Sequence, residues 1–186
     1  MKKALLSSLV FAAALANAAE YKLDPAHANA GFGIDHFGTS TNRAAIHNLE
    51  GSMEFDSESK TGKIDVTLPV NNISSGNQHF DKHLKSADIF DVEQFPEIRF
   101  VSEKFNVKDD KLESVEGQLT MKGKTAPVTL KAEKFNCYDS PMAKTQVCGG
   151  DFTATIDRSQ WGVDYLIDKG FAKEVDIVIQ IEALKQ

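Results

Sequence analysis

The sequence predicts a mainly β fold: eight antiparallel strands, closed into a barrel or packed as a sandwich, with one short helix between strands three and four. Three observations carry this expectation. Apolar residues recur with period two in eight separate runs. Short polar links divide many of the runs, as tight turns require. One segment, residues 76–95, switches to helical period. Eight half-buried strands favour closure, because a barrel leaves no open sheet edge.

The elements follow in order. Ala28, Ala30, Phe32, Ile34 and His36 share one face of the first strand. Leu49, Gly51, Met53 and Phe55 define the second, and Ile64, Val66, Leu68 and Val70 the third. Ile98 and Phe100 begin the fourth, which resumes after an irregularity with Phe105 and Val107. Val115, Gly117, Leu119 and Met121 form the fifth, and Val128, Leu130 and Ala132 the sixth. Phe152, Ala154 and Ile156 form the seventh, and Val175, Ile177, Ile179, Ile181 and Ala183 the eighth. Asp56 to Gly62, Asp109-Asp110-Lys111 and Met121-Lys122-Gly123-Lys124 supply turn chemistry. In the helical segment Phe80, His83, Leu84 and Ala87 fall at i, i+3, i+4 and i+7, one apolar stripe. Ile89-Phe90 and Phe95-Pro96 complete it. A segment so rich in large apolar groups is expected to cover one end of the barrel.

The N-terminus reads as a secretory signal peptide, residues 1–18. Lys2 and Lys3 are followed by an apolar run of 12 residues, Ala4 to Leu15, broken only by Ser7 and Ser8. Ala16-Asn17-Ala18 then offers small residues to a signal peptidase, with cleavage after Ala18. The run falls short of the roughly 20 apolar residues a membrane span needs. No cysteine precedes Cys137, so no acyl anchor is expected. The folded part is then residues 19–186, one domain, exported to the periplasm without a stable membrane anchor.

Loss of Lys2 and Lys3 shifts the formal charge from −6 to −8. No basic cluster offsets it, which argues against a nucleic-acid partner and against docking on anionic lipid by charge. Cys137 and Cys148 are the two cysteines, and in an oxidising compartment an even pair reads as one disulfide. C-x-x-C redox spacing is absent.

Five patches, in order, carry a resemblance. They are His27-Ala28-x-Ala30-x-Phe32-x-Ile34-x-His36-Phe37; Asp81 to Phe90 with Phe95-Pro96; and Gly117-x-Leu119-Thr120-x-x-Gly123-x-Thr125-x-Pro127-Val128-x-Leu130. Arg158-Ser159-x-Trp161-Gly162 and Val175-Asp176-Ile177-x-Ile179-x-Ile181-Glu182 complete the set. The ordered set resembles the YceI family of bacterial proteins. The resemblance implies an eight-stranded lipocalin-like barrel, usually periplasmic, holding a long-chain isoprenoid lipid (a polyisoprenoid or isoprenoid quinone) in its interior. No other cofactor is implied. The Cys137–Cys148 pair lies outside the family pattern and marks a subgroup.

The residue types suit such a ligand. An eight-stranded barrel is either filled by side chains or holds one small ligand. Ala28, Ala30, Gly51, Gly117 and Ala154 are expected to leave volume inside. Phe32, Phe55, Phe100 and Phe152 would form apolar walls, with Ile34 on the same face as Phe32, while Phe80, Leu84 and Phe90 shield the open end. His36 and His83 would present polar groups to a headgroup. Trp161 is read as a plug at the barrel bottom, with ligand contact as the alternative, and Arg158 as the partner of a strand carboxylate. His79 and His83, four apart on the helix, are a weaker metal-hydrolase alternative, since the base of H-E-x-x-H is missing. No G-x-S-x-G elbow or phosphate-binding glycine loop occurs, so no enzyme activity is expected. A filled barrel acting in envelope stress or assembly, and a homodimer, stay open as alternatives.

Overall fold

A computed structural model of the chain describes residues 18–186. The signal-peptide expectation falls on residues 1–18 and so lies almost wholly outside the described residues. Eleven strand segments form one antiparallel sheet that closes on itself. They are β1 (Ala19–Leu23), β2 (Asn29–His36), β3 (Ser40–His47), β4 (Glu50–Asp56), β5 (Thr61–Pro69) and β6 (Ile73–Ser74). After helix α1 (Gln78–Lys85) come β7 (Glu97–Lys108), β8 (Lys111–Met121), β9 (Lys124–Ser140), β10 (Thr145–Asp157) and β11 (Glu174–Lys185).

Eleven segments make eight barrel strands because three strands are interrupted. β1 and β2 are halves of one strand, and both pair with β11. A 3-10 turn at Pro25–His27 divides them, capped by the Asp24 carboxylate. β3 and β4 are likewise halves, pairing with β2 and β1 and broken at Asn48, which adopts φ 57°. β5 and β6 pair with β4 and β3 across the 3-10 turn Val70–Asn72. The barrel expectation thus holds and the sandwich alternative falls away. Each predicted strand lies inside one of the eight.

Two bulges set which residues face inward. On β7 the register shifts between Ser102 and Lys104, so Phe100 and Phe105 both turn into the core despite odd spacing. A second shift follows between Asn106 and Val107, and Val107 is exposed, contrary to the sequence expectation. β3 was not expected at all, although Ala44 and Ile46 are buried on it.

The two ends differ. The β4–β5, β7–β8 and β9–β10 turns gather at one end with the C-terminal end of β11. That end is filled: Phe55 packs edge-on against Phe135, centroids 5.1 Å apart, and tilts over Phe105 at 6.4 Å. The disulfide joins Cys137 and Cys148, directly opposed on β9 and β10, toward the same end. The bridge spans a sequence separation of 11 residues, which reduction frees. Chain-entropy reasoning predicts a stability loss of about 2–3 kcal/mol, measured by denaturant titration with and without a thiol reductant.

The other end carries the β2–β3 turn, α1 with its following turns, the Lys122-Gly123 turn, and the loop from Arg158 to Lys173. Helix α1 begins where Asn77 Oδ1 accepts the backbone N–H groups of His79 and Phe80. It ends at Ser86, whose extended backbone stops the helix short of Ala87. Ala87 is therefore exposed, and the stripe is carried by Phe80, His83 and Leu84 alone. The turns beyond fold back on the helix: Phe90 N–H donates to Leu84 O and Val92 N–H to Lys85 O. Lys122 Nζ donates to Ile89 O at 2.8 Å and ties them to the β8–β9 turn.

Candidate functional site

The barrel interior is not filled. A cavity of about 400 Å³ runs inward from the end that carries α1, within the range of small-molecule sites. Its wall is built by strand register. Phe152, Ile179 and Ala30 lie side by side across β10, β11 and β2, and Ala154, Ile177 and Phe32 form the next row. All six side chains line the cavity. Each row gives one position to alanine, and the missing bulk there leaves part of the cavity open.

Nine of the ten residues expected around the ligand line this one cavity; Phe55, expected as a wall, does not, because it packs against Phe105 and Phe135 at the filled end. Phe32, Ile34 and His36 come from β2, Phe100 from β7 and Phe152 from β10. Phe80, His83 and Leu84 come from α1, and Phe90 from the turn behind it. Leu84 is 3% exposed and sits in the core beneath the helix. Phe90 meets Phe32 edge-on at 6.4 Å, so the turn behind the helix and the sheet touch through aromatic rings. His79 is exposed and does not line the cavity, whereas His83 does. Among the described residues no group of three or more His, Cys, Asp or Glu is placed to hold a metal.

The small residues divide. Ala30 and Ala154 line the cavity as expected. Ala28, Gly51 and Gly117 do not. A Cβ on Gly51 would lie 2.1 Å from Asp65 O, and one on Gly117 would lie 2.5 Å from the Phe100 ring. These glycines admit close approach of a strand or a ring rather than making room for a ligand.

The polar lining is confined to the open end. His36 and Asn42 flank the β2–β3 turn, His83 stands on α1, and Arg158 and Tyr165 belong to the loop that follows β10. His83 packs edge-on against Tyr165, centroids 5.0 Å apart. No carboxylate, Ser or Thr hydroxyl, or thiol lines the cavity among the described residues. Phe37, Leu166 and Phe171 form the rim. The sequence reading named Arg158 and Trp161 on this loop but not Tyr165, Leu166 or Phe171, which follow neither period.

Arg158 departs from expectation. It is 4% exposed and pairs with no carboxylate. Its guanidinium donates instead to three backbone carbonyls: Ala172 O and Val163 O at 2.8 Å and Tyr165 O at 2.9 Å. Phe171 covers it at 5.1 Å. Burial lowers its pKa; the fork geometry of arginine explains how one side chain gathers three loop carbonyls. Trp161 also differs. It is buried, donates from Nε1 to Leu119 O at 2.8 Å, and lies beside the mouth rather than at the filled end.

The helix is anchored by a carboxylate. Asp81 accepts from both the N–H and the Oγ of Ser75, each at 2.6 Å. Those two hydrogen bonds hold its pKa below the usual carboxylate range. A depressed folded-state pKa contributes stability above the unfolded value and loses it as pH falls through the folded one. Asp81→Asn is therefore expected to lower the thermal midpoint at pH 7. The gap between variant and wild type should narrow as pH drops below about 4. Scanning calorimetry across that range checks it.

Comparison with known proteins fits this architecture. The description YceI-like domain attaches to a family model that matches residues 21–183. The Protein YceI of Salmonella arizonae is 33% identical over the whole length of both chains. Among solved structures, Burkholderia cenocepacia BcnA superposes with a TM-score of 0.71 at 22% identity, covering 86% of this chain and 98% of its own. A polyisoprenoid binding domain from Saccharophagus degradans superposes with a TM-score of 0.66 at 11% identity, covering 89% and 98%. At those identities the two structures speak for the barrel. The matched family model and the full-length relative establish more: this chain belongs to the YceI-like domain family.

Proposed function

We propose that the protein is an exported, soluble carrier or reservoir for one long-chain isoprenoid lipid, a polyisoprenoid or an isoprenoid quinone. The observation that carries this reading is the apolar cavity, open at one end and polar only there. A tail would lie against Phe32, Ile34, Phe100 and Phe152 beneath the lid of Phe80, Leu84 and Phe90. Its headgroup would sit between His36 and His83. Each buried methylene-sized group contributes about 0.8 kcal/mol before ordering costs, so a tail can be held without a specific polar contact. The name of the Saccharophagus domain, polyisoprenoid binding, supports the ligand class. The lining offers no paired acid and base, which favours binding over catalysis.

The signal sequence read over residues 1–18 supports a mature chain of residues 19–186 in the periplasm. A tail nearly insoluble in water needs a soluble host in such a gap. The test is loading: a long-chain polyprenol delivered from detergent micelles, the protein re-isolated, and its lipid extracted and quantified. One polyprenol per chain is expected. Absence of bound polyprenol over a saturating range would overturn the carrier reading.

A further inference from the structure

We propose that the rim formed by Phe37, Leu166 and Phe171 is a membrane-docking face through which the cavity exchanges its lipid with a bilayer. The proposal rests on the carrier reading above. Its starting point is backbone conformation. Among the described residues nine non-glycine residues adopt positive φ. Seven are Asn, Asp or Lys at turns, where a short or solvated side chain tolerates it. The other two are Phe37, φ 53°, and Leu166, φ 57°, both large and apolar. Both stand at the cavity's open end. Strain of this kind persists where function requires it. The β2–β3 turn itself does not need a phenylalanine. Gly38 supplies its second left-handed residue, and Asp35 closes it by accepting the Gly38 N–H at 2.6 Å.

The side chain is also placed outward. Phe37 is 48% exposed and stacks on Phe171, centroids 5.3 Å apart. Phe171 in turn covers Arg158, whose three hydrogen bonds fix the loop. The rim is therefore a rigid aromatic wedge, continuous with the cavity wall. An apolar tail can leave the barrel without meeting water only if that wedge contacts apolar surroundings. A second copy seated on it would seal the mouth, whereas a bilayer would open onto it. Phenylalanine suits the depth just below lipid headgroups. Charges close in sequence to the rim residues are mixed, with Asp35, Asp164 and Asp168 against Arg43, Lys169 and Lys173, which favours apolar over electrostatic docking.

The test uses vesicles of phosphatidylcholine and phosphatidylethanolamine containing a long-chain polyprenol. Phe37→Asn and Leu166→Asn place a residue that fits positive φ, so the fold is kept and a thermal midpoint at or above wild type verifies it. The double variant is expected to slow polyprenol transfer from vesicles about tenfold or more, a 1.4 kcal/mol loss per factor of ten. Val178→Asn, which removes an exposed valine from the outer wall of β11, is expected to leave the rate unchanged. Raising salt from about 0.05 to 0.5 M should change the wild-type rate less than about twofold, since screening acts on charges. Detergent loading separates the two ideas. Normal loading together with an unchanged vesicle rate in the double variant overturns docking alone; no loading in wild type overturns the carrier reading and docking with it. A wild-type dimer that the double variant dissociates, at unchanged vesicle rate, assigns the rim to contact between copies and also overturns docking.

Discussion

Replacing Arg158 with alanine is expected to cost about 3–5 kcal/mol of stability and to loosen the mouth of the barrel. A hydrogen bond from a charged donor contributes about 1.5–3 kcal/mol, and Arg158 makes three to backbone carbonyls. Water reaches some of the freed carbonyls at this end, so the three do not add in full. The loss has a place as well as a size. Val163, Tyr165 and Ala172 lie on one loop, and their amides should exchange faster in the variant while those of β8 and β9 do not. Arg158→Lys should rescue little. An ammonium has no planar fork with which to reach three carbonyls at once. Urea titration with hydrogen exchange measures both effects. A loss below about 1 kcal/mol would show that the loop stands without its clip.

Filling the cavity should separate folding from binding. Ala30→Leu with Ala154→Leu adds about six carbons to apolar space, one side chain in each of the two rows across β10, β11 and β2. At about 0.8 kcal/mol per methylene this stabilises the barrel by up to about 5 kcal/mol, less the ordering of two leucines and imperfect fit. A net gain of about 1–2 kcal/mol is expected. Polyprenol loading should fall at least about a hundredfold, because the carbons occupy space the tail needs. The combination matters: a more stable protein that no longer binds cannot be explained by damage to the fold. Equal binding by the double variant would place the tail elsewhere.

The parts of this molecule that obey a period were legible in its sequence. Strand parity put Phe32, Ile34, Phe100 and Phe152 on inner faces, and a helical stripe put Phe80, His83 and Leu84 on the face of α1 that covers the cavity. All of these line one cavity. What escaped depends on partners distant in sequence. Gly51 and Gly117 look like empty space until the opposing Asp65 carbonyl and Phe100 ring are in place. β3 hides because Asn42 and Ala44 weaken its alternation on the inner face. Arg158 binds carbonyls, which every residue carries, so no neighbour in the sequence announces its role. The rim of Phe37, Leu166 and Phe171 is set by loop geometry, which has no repeat to read.

Lipid carriage is tested by native mass spectrometry of the full-length gene product, expressed in its native host and recovered without detergent. The predicted spectrum shows a chain beginning at Ala19 with one disulfide and a single discrete mass increment. On denaturation the increment is released as one isoprenoid lipid. A homogeneous ligand-free mass, from protein that also takes up no polyprenol when offered it, would rule out lipid carriage.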